Sequence, residues 1–210
     1  MIVVLSLGAG VQSTTLALMA ARGEVGPMPD CAVFADTGWE PARVYQHLAW
    51  LETQLPFPVH RVQYGNMRED LLTKRRGQVA NPPFFLGGGG MLRRQCTQTY
   101  KIEPIQRKCR ELLGLRPRQR GPKGPAIEQW IGISKDEVQR MKESRVPYIR
   151  NRWPLLERRM TRQDCLRWLR GHGYPEPPKS ACIGCPYHDN AFWRDMRDNA
   201  PAEWADAVAF

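Results

Sequence analysis

The 210 residues can bury one hydrophobic core, and no apolar run approaches the roughly 20 residues of a bilayer span, so the chain reads as a single domain, 1–210, outside the membrane. A formal charge of +10 suits polyanionic partners, nucleic acid or highly charged nucleotides, without specifying a fold. No leading basic and apolar signal segment precedes the first strand, so a cytoplasmic location is expected, and the six cysteines read as reduced thiols or metal ligands rather than disulfides.

Residues 2–5 are β-branched or large and apolar, as a buried strand requires, and residues 16–21 suit a helix packed on its face. Between them Gly8, Ala9 and Gly10 let backbone N–H groups approach an anion, while Ser13, Thr14 and Thr15 bring hydroxyls to a helix N-terminus whose dipole favours phosphate or sulfate. Neither G-x-x-x-x-G-K-S/T nor G-x-G-x-x-G fits this turn, because Ser13 stands where the latter needs its third glycine.

Residues 31–35 form a second strand tipped by Asp36, Thr37, Gly38 and Glu40. At the carboxyl end of a parallel strand such a tip meets ligands, with Asp36 and Glu40 available to a ribose or to Mg²⁺, or serving as a turn former and a first-turn helix charge. Pro41 opens a helix with Val44, Leu48, Leu51 and Leu55 on one face, ended by Pro56 and Pro58, and residues 59–63 alternate as a third strand in which His60 is a strand residue. From 65 to 95 the period is lost. This stretch holds the basic run 74–76, four consecutive glycines at 87–90, and then Arg93 and Arg94; it reads as a basic lid over an anionic substrate or as a disordered surface loop.

Residues 103–113 suit a helix opened by Pro104 and stopped by Gly114, 115–125 a basic connector, and 127–133 a strand tipped by Gly132 and Ser134. Strand and helix alternate, so the predicted fold is α/β and Rossmann-like: a mainly parallel twisted sheet with helices on both faces and a C-terminal, cysteine-containing helical segment. Within it, 140–210 forms a basic subregion. Thr161 and Asp164 make a capping box for a helix closed by Gly171 and Gly173, and ten Lys or Arg between Arg140 and Arg170 face only three acids, as a polyanion-binding surface would. The last residues read as helix.

The spacing of Cys182-Ile-Gly-Cys185 lets one tight turn present two thiolates to a metal, and suits zinc, an iron-sulfur cluster or a redox dithiol. Cys96 and Cys165 are the best complements, whereas Cys31, within a strand, and Cys109, within a helix, read as small core residues.

Together these blocks resemble the PP-loop adenine-nucleotide alpha-hydrolase-like superfamily, and within it the phosphoadenylyl- and adenylyl-sulfate (PAPS/APS) reductase-like proteins. Gly8-Ala-Gly-Val-Gln-Ser13 looks like the PP-loop, Phe34-Ala-Asp-Thr-Gly38 with Glu40 like the F-x-D-T-G-x-E strand tip, and Trp130-Ile-Gly-Ile-Ser-Lys-Asp-Glu137 like the later substrate-facing segment. Cys96-Thr-Gln-Thr-Tyr-Lys-Ile-Glu-Pro104 is similar to the region where APS reductases carry Cys-Cys before Lys-x-x-Pro, and Ser180-Ala-Cys-Ile-Gly-Cys185 to their S-I-G-C-x-x-C.

The resemblance implies a nucleotide (ATP, APS or PAPS) held by Gly8, Ala9, Gly10, Ser13, Asp36 and Gly38, with Gln12, Thr14, Thr37, Glu40 and Gly132 around it and Arg93, Arg94 and Lys101 facing phosphate or sulfate. It further implies a 4Fe-4S cluster on Cys96, Cys182 and Cys185. The chain departs from the pattern in three places. Gln95 replaces one cysteine of the tandem pair, so the fourth ligand would be Cys165, an outside group, or absent; Gln12 replaces the acidic residue of ATP-cleaving loops; and 201–210 lacks the reductases' E-C-G-x-H nucleophile. The expected function is iron-sulfur-dependent sulfur transfer to tRNA or DNA, served by a sulfur or electron donor protein. The alternatives are a sulfonucleotide reductase or degenerate sulfonucleotide binder, and a zinc-stapled nucleic-acid-binding module.

Overall fold

A computed structural model describes residues 1–73 and 81–210; the basic run 74–76 lies outside the described residues. Strand β1 (Ile2–Leu7) runs down the middle of a five-stranded sheet with β2 (Cys31–Asp36), β3 (Val59–Gln63), β4 (Ile127–Ile131) and β5 (Ile149–Arg152), in the order β3-β2-β1-β4-β5. Every pairing is parallel, with Leu5 opposite Ala32 on one side and Trp130 on the other.

Alternation along these strands feeds two cores. Val3, Leu5 and Leu7 join Phe34 and Trp130 beneath α1 (Val11–Ala21), α2 (Ala42–Gln54) and α6 (Arg162–Gly171), while Val4, Val33 and Ile127 face Ile105 and Cys109 of α4 (Glu103–Leu112). Helices thus cover both faces, and near-continuous apolar strands are what such a doubly covered sheet requires. Cys31 and Cys109 are core residues, as expected.

The α2 face, the β3 strand and the α6 capping box all stand where the sequence puts them. Thr161 Oγ1 accepts the Asp164 amide, and the Asp164 carboxylate accepts that of Thr161. Several elements were not anticipated, among them the short helix α5 (Pro154–Glu157), another short helix and a fifth strand. Helix α3 (Met67–Thr73) lies inside the stretch read as aperiodic and buries only Met67, so it has no apolar stripe to reveal it. Strand β5 carries Arg150, Asn151 and Arg152, and pairing with β4 sets both arginines against the buried Glu128. The last strand-forming pairs of β4 stop at Ile131, two residues short of the predicted end.

At the carboxyl end of the sheet, α7 (Asn190–Asn199) and α8 (Pro201–Ala209) close a third apolar cluster containing Trp39, Met67, Tyr100, Cys182, Ile183, Phe192 and Met196. Polar contacts seat this helical pair on the β2 tip: Trp39 Nε1 donates to Asp206 at 2.7 Å, the Ala42 amide donates to Glu203 at 2.7 Å, and Arg43 meets Asp195 at 2.6 Å. Glu203 thereby supplies an acceptor at the N-terminus of α2, whose own N-cap, Pro41, has none. Among the described residues no helix is long and apolar enough to cross a membrane.

Candidate functional site

The chain passes from β1 to β2 and β3 on one side, then returns to place β4 on the other. The resulting switch point lies between the carboxyl ends of β1 and β4, where an open parallel sheet leaves a crevice for ligands.

After β1 the loop 8–13 bends through Ala9, which is fully buried at a φ of 55°, a left-handed conformation rarely taken by a side-chain-bearing residue. Ser13 Oγ holds the loop by accepting the Gly8 amide and donating to the Gly10 carbonyl, each at 3.2 Å. Gly10 is the N-cap of α1 and offers no side-chain acceptor, and the first turn contains no acid. Its first-turn amides therefore remain for an anion.

The β4 tip closes on this loop. A Cβ at Gly132 would lie 2.9 Å from both Ser13 N and Ser13 Cα, so only glycine allows the approach. Gln12 Nε2 latches the two tips, donating to Glu137 Oε2 at 3.0 Å and Ser134 Oγ at 3.3 Å. Ser134 and Glu137 were not singled out as site residues, although they lie in the 130–137 block that includes Gly132.

At the β2 tip, Asp36 Oδ1 accepts the Gly38 amide at 2.7 Å and the Tyr45 hydroxyl at 2.8 Å, an Asx-type turn that Gly38 permits with a φ of 70°. Burial, then the Asp36 carboxylate, pushes the Tyr45 phenol up, so it stays a donor. Thr37 and Glu40 turn inward: the Thr37 hydroxyl donates to Glu40 Oε1 at 3.3 Å, and the Glu40 side chain is 1% exposed. Its charge is met by Lys101 Nζ at 3.0 Å, leaving Oε2 buried without a partner. Burial alone would lower the Lys101 pKa, but the neighbouring Glu40 carboxylate and Cys182 raise it, so the ammonium persists.

The Cys182-to-Cys185 turn packs against this tip. The Ile183 amide donates to the Trp39 carbonyl at 2.8 Å, and a Cβ at Gly184 would sit 2.1 Å from the Trp39 ring. The Cys182 thiol donates to Thr37 Oγ1 at 3.3 Å, and burial followed by the Glu40 charge pushes it up to about 12. Upstream, Ser180 borders the β1 loop, its Cβ 3.5 Å from where a Gly10 Cβ would stand. The β1 loop, the β2 tip, Gly132, Lys101 and the paired cysteines thus meet at one end of the sheet. Arg94 lies over the Tyr187 ring at 5.4 Å and bears electrostatically on Lys101, while Arg93 is exposed.

Two expected site residues lie elsewhere. Thr14 is fully buried, its hydroxyl 3.0 Å from His47 Nε2, so helix packing turns it away from any ligand. Cys165 is fully buried in the core between α1 and the sheet, apart from the cluster that holds Cys182, because it occupies the inward face of α6 one turn after the cap. Cys96 is half-buried against the cluster of Cys182. Among the described residues no three His, Cys, Asp or Glu side chains are grouped to hold a metal ion. Cys165 is therefore not placed to complete a centre with Cys96, Cys182 and Cys185, and Glu40 is paired with Lys101.

No family model matches the chain, and no curated protein matches it significantly. Among solved structures it is similar to the crystal structure of phosphoadenylyl-sulfate (PAPS) reductase from Candida auris in a phosphate complex, with a TM-score of 0.56 and 13% sequence identity over 83% of this chain and 74% of that chain. At that identity the likeness is one of fold: the chain has a PAPS reductase-like, Rossmann-like α/β architecture.

Proposed function

We propose that this chain binds an adenine sulfonucleotide, APS or PAPS, with its phosphate end against the first turn of α1, and acts on its sulfate as a reductase-like enzyme. One observation carries the reading: an uncapped helix N-terminus at the sheet's switch point, where glycine at 132 lets the β4 tip come against the Ser13 backbone. The similar Candida auris enzyme is described as a PAPS reductase in a phosphate complex, and an anion is what this crevice suits. Arg94 is exposed at the same end of the sheet and supplies positive charge for phosphate or sulfate, whereas Lys101 is already paired with Glu40.

Denaturant unfolding with and without APS, PAPS or ATP tests this. A ligand at 100 times its Kd adds about 2.7 kcal/mol of stability. Stabilisation by a sulfonucleotide, reduced in Gly10→Val, is the expected result; no stabilisation by any of the three overturns the reading.

A second reading, sulfur transfer to tRNA or DNA, has its support in a different place. Lys142, Arg145, Arg159, Arg162 and Arg170 all stand exposed on the basic subregion, where phosphate contacts would make binding salt-dependent. Cys96, Cys182 and Cys185 lie at one end of the sheet and Cys165 in another core, so a four-ligand cluster there would need a ligand from outside these cysteines.

A further inference from the structure

We infer that the hairpin at 84–92 is a nucleic-acid contact, in which the Phe85 ring stacks on an unpaired base while Arg93 and the glycine amides of the tip meet the flanking phosphates. The inference concerns a macromolecular partner; it goes beyond the sulfonucleotide reading above and does not depend on it.

The hairpin is a built element. At its neck the Gln95 amide donates to the Asn81 carbonyl at 3.0 Å, and the Asn81 amide donates to Gln95 Oε1 at 3.3 Å. Further out, the Leu92 amide donates to the Phe84 carbonyl at 2.8 Å and the Leu86 amide to the Gly90 carbonyl at 3.1 Å. Phe85 and Met91 form an antiparallel bridge between these bonds, so their side chains share one side of the hairpin and those of Phe84 and Leu92 the other. Burial follows that alternation. Phe84 and Leu92 are half-buried, with Phe84 against Phe210 at a ring-centroid distance of 5.8 Å, whereas Phe85 is 72% and Met91 36% exposed, and Leu86 beside them 48%. One side anchors the hairpin, and the other offers an apolar patch to a partner.

Charge and the tip identify the partner. Residues 81–102 include Arg93, Arg94 and Lys101 and no acid. Lys101 is spent on Glu40 and Arg94 lies over the Tyr187 ring, but Arg93 is exposed with no carboxylate partner among the described residues, so the patch is flanked by cations that suit a polyanion. The tip then separates nucleic acid from an anionic lipid surface. Gly89 and Gly90 have φ of 92° and 85°, a Cβ added at any of 87–90 would meet no described atom within 4 Å, and the amides of Gly87 and Gly88 have no acceptor among the described residues. Bare backbone donors are costly in hydrocarbon, whereas phosphate oxygens satisfy them. An exposed aromatic ring beside an arginine is, in turn, the pairing that holds a base by its face and its phosphate by charge.

Fluorescence anisotropy of the full chain with a fluorescein-labelled single-stranded oligonucleotide, DNA or RNA, tests this beside the matching duplex. Binding to the single strand is expected, weakened about tenfold or more in Phe85→Ala with its salt slope unchanged. Arg93→Gln is expected to reduce that slope by about 0.7, one phosphate contact. Both side chains are exposed, so both variants are expected to keep the urea midpoint of the unsubstituted chain. No binding overturns the inference, as does undiminished binding by Phe85→Ala, binding confined to the duplex, or a preference for vesicles of phosphatidylglycerol and phosphatidylcholine over the oligonucleotide.

Discussion

A methyl group added at Gly132 would press on the Ser13 backbone at 2.9 Å, and backbone cannot rotate aside as a long side chain can. Gly132→Ala is therefore expected to cost about 1–3 kcal/mol of stability through overpacking. Under the proposed function it is also expected to weaken nucleotide binding about tenfold or more, since the loop 8–13 must shift; calorimetric titration reads the change. His47 supplies a pH-dependent counterpart. Burial beside Thr14 lowers its pKa from 6.5 to about 4, so the folded protein keeps it neutral while the unfolded chain protonates first. Between those two values the unfolded state binds more protons, so this contribution to stability is complete above pH 6.5 and is lost as pH falls towards 4, by on the order of 3 kcal/mol. Urea midpoints at pH 7 and pH 4.5 are expected to differ by less in His47→Gln. The glycines of the loop were readable because their small size is itself the signal. The inward turn of Thr14 was not, because it depends on a histidine brought across by a different helix.

Helix α6 was legible from end to end, since its capping box and closing glycines are local chemistry. Thr161→Ala removes the oxygen that accepts the Asp164 amide and is expected to lower stability by about 1 kcal/mol, measured by urea unfolding. The α7–α8 pair is held to the β2 tip by contacts reaching far along the chain. Asp206 takes both the Trp39 indole and Arg68, while Phe210 packs on Trp39 with ring centroids 4.7 Å apart. Asp206→Ala leaves the largely buried indole N–H unpaired, at a cost of about 1–3 kcal/mol. Limited proteolysis is expected to cut the 190–210 segment faster in that variant; unchanged cleavage would show that apolar packing alone holds the pair. Helix α3 and strand β5 escaped the sequence reading for one reason. Each is polar along most of its length and exists because a neighbour receives it, the β2 tip through the Met67 amide and β4 through its ladder.

Across the whole molecule the +10 charge is unevenly answered. Arg150 and Arg152 are spent on Glu128 and Glu157, and Arg167 on Asp164, but much of the basic subregion projects into solvent. If that surface meets nucleic acid, the logarithm of affinity is expected to fall linearly with the logarithm of salt concentration, and Arg159→Glu with Arg162→Glu to reduce the slope by about 1 for each phosphate contact removed. A slope unchanged by both substitutions would assign the basic face to solubility. The strand periods, the strand-tip turns, the α/β class and the cysteine spacing follow from side-chain size and chemistry along a few neighbouring residues, so they could be read without coordinates. Packing between distant segments settled the rest. The Glu40 charge belongs to Lys101, 61 positions away; Cys165 lies in a core that Cys182 does not share; and the 182–185 turn rests on Trp39. Those outcomes depend on which helix faces cover the sheet, a property of the assembled layers rather than of any one stretch of chain.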